Sequence, residues 1–269
     1  MTTEQPRDQT VEEINQAFFG EIFNDNTVDY LAKSAGSRWF RDLLLMILEP
    51  VDTDDVATVV DVGCGIGHKT STLRGRFPKA SVQGFDFSPQ AIEVATKAYG
   101  PEGIDFSCTD ITKAGYSTRY DLIAAFDVLE HVDDWQGLVT DLVRANNRYI
   151  VLSFPVGRMR PYEVNIGHYR NFQRDQMERF MGEQGYATLK TFYAGFPFFS
   201  PIMRDLTQVF FKNYSETPNA RMGRLGKLLH DVWYVLFRYG SLKHRGDVFI
   251  GLFEKSRAGV AEAGPPAAP

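Results

Sequence analysis

The stretch VVDVGCGIGHKTSTL, Val59 to Leu73, constrains this chain more than any other. A short apolar run carries Asp61, passes through Gly63, Gly65 and Gly67, and turns helical. Strand, glycine turn and helix in that order present backbone N–H groups to a ligand. The two common nucleotide turns are G-x-G-x-x-G and G-x-x-x-x-G-K-[ST]. Neither fits. The glycines space as G-x-G-x-G, His68 fills the sixth place, and Lys69 follows too closely.

The surrounding pattern says what sheet holds the turn. TVVDV, SVQGFD, IDFSC, YDLIAAF, RYIVLSF, ATLKTFY and VFIGLFEK read as strands. Helical patterns separate them: HKTSTLRGRF, QAIEVATKAY behind Ser88 and Pro89, the run from Trp135 to Ala145, and RDQMERFMGEQ. Two helices precede the turn. One opens on a Thr10–Glu13 capping box and carries Val11, Ile14, Phe18 and Ile22. The other carries Phe40, Leu43, Leu44, Ile47 and Leu48 and stops at Pro50. Such alternation implies an α/β, doubly wound, mostly parallel sheet, with ligands at the carboxyl ends of its strands. Asp86 ends the second strand, where a carboxylate can accept both hydroxyls of a ribose. Asp110 follows the third and can accept from an adenine amino group. Asp61 is placed to orient the turn or to bind a ligand amine.

Composition narrows the class. The chain has 269 residues, a hydrophobic content of 43% and a formal net charge of -5, which argues against general nucleic-acid affinity. Two cysteines, Cys64 and Cys108, make no disulfide framework and fit a reducing cytosol. The polar start MTTEQPRDQT lacks a signal-peptide core, and no apolar run approaches a membrane span of ~18–20 residues. A cytoplasmic protein is expected. The tail AGVAEAGPPAAP reads as disordered low complexity.

VVDVGCGIG, GFDFSP, CTDI and YDLIAAFDVLEHV, in that order and spacing, resemble the successive motifs of class I S-adenosylmethionine-dependent methyltransferases. The resemblance spans roughly residues 56–193 and the last strand. It implies a seven-stranded Rossmann-like sheet of order 3-2-1-4-5-7-6, with strand 7 antiparallel. It implies S-adenosylmethionine as cofactor, its methionine end on Asp61, Gly63, Cys64, Gly65 and Gly67 and near Phe126 and Asp127. Ribose would bind Asp86, and adenine would lie near Phe87, Asp110 and Ile111. Cys64 reads as a small residue in a tight turn, without redox partner.

Such an enzyme mainly positions an acceptor in line with a sulfonium methyl. A hydroxyl acceptor also needs its proton removed. Of five histidines, His131 after strand four and His168 in the loop after strand five lie at the active edge. The expected catalytic pair is therefore His168, as general base, with His131. Asp127, Glu130 and His131 also form D-x-x-E-H, with His168 as a further ligand. This resembles the E-x-x-E-H metal site of small-RNA 3′-end methyltransferases, and in part that of ubiquinone-pathway O-methyltransferases. The first acid is one methylene shorter here, and two further histidines are missing. The expectation drawn is no metal.

The domain plan has N-terminal helices over 1–50 and a cofactor-binding core over 51–194. A helical insertion or lid follows over 195–246, then the last strand over 247–256 and a disordered tail over 257–269. The insertion carries eight Lys/Arg against three acids. One helical face of it bears Leu225, Leu228, Leu229, Val232, Trp233 and Leu236. Packing on the sheet, a homodimer, a lid over a greasy acceptor and a membrane-surface contact all stay open for it. Arg158, Arg160, Arg170 and Arg174 around His168 favour an anionic acceptor. The function expected is O-methylation of a small-molecule or glycan-type metabolite in biosynthesis. The alternatives are C-methylation of a lipid-linked, prenyl-type or phosphorylated acceptor, and a catalytically silent cofactor-binding protein.

Overall fold

The computed structural model describes residues 25–109, 118–205 and 222–256. The Thr10–Glu13 helix, Asp110, Ile111, the middle of the insertion and the tail lie outside the described residues. Seven strands form one sheet: β1 (Thr58–Val62), β2 (Ser81–Asp86), β3 (Ile104–Cys108), β4 (Tyr120–Phe126), β5 (Asn146–Pro155), β6 (Tyr186–Gly195) and β7 (Gly246–Lys255). Their order is β3-β2-β1-β4-β5-β7-β6. The first five pair in parallel, and β7 runs antiparallel to β5 and β6. This is the expected mixed seven-stranded sheet.

Eight helices flank it among the described residues: α1 (Asp25–Lys33), α2 (Ala35–Ile47), α3 (His68–Arg76), α4 (Pro89–Tyr99), α5 (Trp135–Arg144), α6 (Pro161–Asn165), α7 (Gln176–Glu183) and α8 (Arg224–Val235). Local chemistry starts several of them. The hydroxyl of Ser88 accepts from the Ala91 N–H, with Pro89 in the first turn. The hydroxyl of Ser34 caps α2, and the carboxylate of Asp134 caps α5.

Both faces of the sheet are covered, so its central strands read as unbroken apolar runs. Successive side chains point to opposite faces. Val60, Ile123, Ile150 and Leu152 therefore join Trp135, Leu138 and Leu142 of α5 and Met177 of α7 in one core. Val59, Leu122, Val151 and Ile250 join Trp39, Leu43, Leu44 and Ile47 of α2 and Leu73 of α3 in the other.

The insertion leaves β6 at Gly195 and returns into β7 at Gly246. Since β6 is parallel to β1 and β7 antiparallel, both ends lie at the carboxyl edge, where the glycine turn emerges. There α8 packs on α2. Asp231 pairs with Arg38, Tyr234 donates to Asp42, and Nδ1 of His230 accepts from the Ala35 N–H. The expected apolar face divides: Trp233 packs beside Phe237, but Leu225, Leu228, Leu229 and Val232 are exposed.

Candidate active site

The turn after β1 is built from glycine backbone. Gly63, Gly65 and Gly67 all have left-handed φ, at 74°, 52° and 80°. A Cβ on Gly63 would lie 2.4 Å from the Val128 side chain, and one on Gly67 would lie 2.7 Å from the Phe106 ring. The N–H groups of Gly63 and Cys64 both donate to the Phe85 carbonyl, at 2.7 and 2.9 Å, which ties the turn to β2. Burial pushes the Cys64 thiol well above its usual range, which keeps it in the neutral form.

Asp86 has a role that spacing did not reveal. Its Oδ2 accepts from the Gly65 N–H at 2.8 Å, and its Oδ1 accepts from the Ser88 N–H at 2.9 Å. One carboxylate thus fastens the glycine turn and the start of α4, and the Phe87 N–H adds a third backbone bond to it. Phe87 beside it is an exposed ring at the carboxyl edge. Asp61 lies beneath the turn, buried, its Oδ2 accepting from the Thr70 hydroxyl at 2.6 Å. Its Oδ1 is buried without a hydrogen-bond partner. Burial, opposed by Thr70 and Lys69 and reinforced by Asp86 and Asp127, pushes the Asp61 carboxyl up to about 7.

Phe126 and Asp127 close β4 at the same edge. Asp127 has φ 57°, which Asp tolerates better than most residues, and pairs with the Lys69 ammonium of α3. That ammonium also lies 4.8 Å from the Phe40 ring centroid, so α2 reaches over this edge.

Beyond Asp127 the chain brings together Glu130, His131 and His168. The two imidazoles meet edge to face with centroids 4.5 Å apart. The loop with His168 is tied to the end of β4, since the Tyr169 N–H donates to the Glu130 carbonyl at 2.8 Å. His131 Nδ1 is 3.2 Å from the Gly167 carbonyl, which can only accept. Nδ1 therefore carries the proton of the neutral ring, and Nε2 carries the lone pair. His168 Nδ1 is 3.4 Å from Asn171 Oδ1. The Asn171 amide is fixed because its Nδ2 donates to the Arg158 carbonyl and to Glu163 Oε2. His168 is thus also protonated at Nδ1. Burial lowers both imidazoles, His131 to about 3, and burial with the nearby Asp127 pushes Glu130 well above the usual carboxyl range.

The four arginines turn to the protein itself. Arg158 reaches Asp205, Arg160 binds Asp205 and Asp247, Arg170 binds the Val132 carbonyl and Asp133, and Arg174 lies over Tyr193 and donates to the His244 carbonyl. Arg158 nevertheless keeps 74% of its side chain in solvent. Phe196, Phe198 and Phe199, at the start of the insertion, also pack internally. Phe199 stacks with Trp39 at 4.6 Å, Phe198 lies against Gly240, and Phe196 lies under Arg245.

A glycine turn after β1, an acid ending β2 and a sheet of this order define a nucleoside-cofactor fold of the class I methyltransferase type. The methyltransferase-domain family matches residues 32–191. The chain belongs to this family, the S-adenosylmethionine-dependent methyltransferases of class I. It is 30% identical over 147 residues to a malonyl-[acyl-carrier protein] O-methyltransferase of Acetivibrio thermocellus, covering 54% of this chain and 52% of that protein. It is 36% identical over 108 residues to a trans-aconitate 2-methyltransferase of Azoarcus sp., covering 40% of each. The chain thus spans about half the length, or less, of the curated relatives it matches. Among solved structures, the magnesium protoporphyrin IX methyltransferase of Synechocystis PCC 6803 with bound SAM aligns with a TM-score of 0.54 at 16% identity, over 94% of this chain and 100% of that one. The [4+2]-cyclase SpnF aligns with a TM-score of 0.58 at 16% identity, over 92% and 97%. These two likenesses concern the fold.

The family's cofactor is S-adenosylmethionine. The residues present suit it. The turn has no room for side chains at Gly63 and Gly67, and the orphaned Asp61 Oδ1 is an acceptor set beneath it.

Proposed function

We propose that this protein transfers a methyl group from S-adenosylmethionine to an oxygen of a small-molecule acceptor. The cofactor, when bound, supplies an electrophilic methyl on a sulfonium. Asp61, Gly63, Cys64, Gly65 and Gly67 would hold its methionine end, next to Phe126 and Asp127. Asp86 would hold the ribose hydroxyls and Phe87 the adenine, with Asp110 and Ile111 as further adenine contacts. Asp61 suits a cationic amine because its carboxylate is buried and half unpartnered. The oxygen preference is supported by relatives named as O-methyltransferases. Fold alone does not carry the activity, since a cyclase shares it.

The observation that carries the acceptor side is the fixed tautomer of His168. Asn171 holds the Nδ1–H, so the Nε2 lone pair is ready to take a proton from an acceptor hydroxyl. His131 packs edge-on against that ring and supports it. The insertion is read as a partial cover for this edge, because both of its ends arise there and Arg204 grips Tyr162 and Glu163 of the His168 loop. The exposed leucines of α8 leave a membrane-surface or dimer contact as a role for its outer side.

His168→Ala tests the reading. Turnover should fall by about 10²–10⁴, with cofactor affinity nearly unchanged. Rising pH should restore part of the loss, as the acceptor hydroxyl ionises without help. Full turnover in this variant, across acceptors of both hydroxyl and carboxyl type, would remove His168 from the chemistry.

A further inference from the structure

We propose that Glu130, His131 and His168 form a binding site for one divalent transition-metal ion of the Zn²⁺, Mn²⁺ or Co²⁺ kind. Each of the three offers one donor atom, and these atoms lie within 4.8 Å of one another. Three donors about 2.1 Å from a common ion stand ~3.4–3.6 Å from one another. Binding would therefore draw these donors roughly 1 Å closer together.

Three further observations point the same way. First, both imidazoles are in the tautomer a ligand needs. Each gives its Nδ1–H to a carbonyl or amide oxygen and keeps its lone pair on Nε2. Metal-bound histidines almost always donate their other N–H in this manner. Second, Glu130 is 1% exposed, and its Oε2 is buried with no hydrogen-bond partner. A buried carboxyl oxygen left unpaired is costly, and a cation satisfies it. Third, the supports of the cluster are themselves held. Asn171 fixes His168, Glu163 Oε2 accepts from Asn171, and Arg204 binds Glu163 Oε1.

The donor set departs from the four residues that the D-x-x-E-H pattern groups. Asp127 leaves it, because its carboxylate pairs with Lys69. What stays is two imidazoles and one carboxylate. That set suits zinc, manganese, iron or cobalt, whereas magnesium and calcium prefer oxygen ligands. The inference rests on the reading that the acceptor is activated at this cluster. A cation there polarises the acceptor oxygen and lowers its pKa, taking over the part assigned to His168 Nε2. The hydroxyl proton then leaves to solvent.

The test uses the full chain, stripped with a chelator and titrated with CoCl₂ while visible absorption is recorded. The wild type should give a band that saturates at one equivalent and disappears when Zn²⁺ is added. Glu130→Gln and His168→Asn should abolish saturation. Asn171→Ala, which touches no ion, should weaken binding by about 10–100-fold. Melting of each metal-free variant shows that it is folded, and His131→Asn replaces any variant that is not. No saturable band, or a band undiminished in every folded variant, overturns the site. Turnover in the same samples separates the two readings. A chelated wild type at full rate beside an inactive His168→Ala rejects the ion and keeps His168 as proton acceptor. A fully active His168→Ala rejects the cluster as the activating group, whatever binds there.

Discussion

At the scale of single residues, the cofactor side rests on groups whose spacing along the chain places them. Asp86→Ala removes the proposed ribose acceptor and also unfastens Gly65 and Ser88. Each lost charge-assisted bond costs about 1.5–3 kcal/mol, so cofactor affinity should drop at least tenfold by calorimetry. Gly63→Val should act as strongly, since a Cβ there meets Val128 and φ is positive. Unchanged affinity in both folded variants would reject the site. Asp61 gives a pH signature. Its carboxyl sits at about 7 in the folded protein, chiefly through burial, against an ordinary value of 3.8. Between those values the native state binds the proton and the unfolded state does not. Stability should therefore fall as pH rises through that window and level off above it, by at most about 4 kcal/mol from this group. Asp61→Asn should flatten the cofactor-free melting profile between pH 5 and pH 7.5. An unaltered slope would assign the dependence to other groups.

At the scale of elements, a buried ionic clasp joins three pieces of chain at the acceptor edge. Arg160 and Arg204 hold Glu163 of α6, Asp247 at the start of β7 and Asp205 of the insertion. Glu163 is fully buried. Removing one partner leaves its opposite charge buried and unpaired, which is far worse than never having had the pair. Arg204→Met should lower unfolding free energy by about 3–5 kcal/mol in urea. A loss below about 1 kcal/mol would mean that the segment carrying Arg204 detaches readily from the His168 loop. Arg160 is visible in the chain beside His168, but its partners Asp205 and Asp247 come from residues more than 40 positions further on.

At the scale of the whole molecule, cofactor binding should couple to global stability. S-adenosylmethionine at 100 times its Kd adds about 2.7 kcal/mol, which for a chain of this size raises Tm by roughly 5–10 °C. Asp86→Ala should lose about half of that shift or more at the same concentration, and an equal shift in the variant would place the ligand elsewhere. The seven strands and the glycine turn were legible in the sequence because their signals are local. A buried strand is a short apolar run, and a left-handed turn wants glycine wherever it stands. The order of the sheet followed only from resemblance, since pairing partners are not written in any one segment. Helix α1 was less legible, since its nine residues carry only Val28, Tyr30 and Leu31 as large apolar side chains. The chain by itself determined the class of fold and the candidates Asp61, Asp86, His131 and His168. Only the tertiary structure decided that Asp127 pairs with Lys69, that Arg160 serves a clasp, and that Phe199 packs on Trp39. It also decided that Asn171 and Gly167 set both histidine tautomers. Each of these is a contact between side chains brought together by folding, and a local pattern holds no information about which distant partner will arrive.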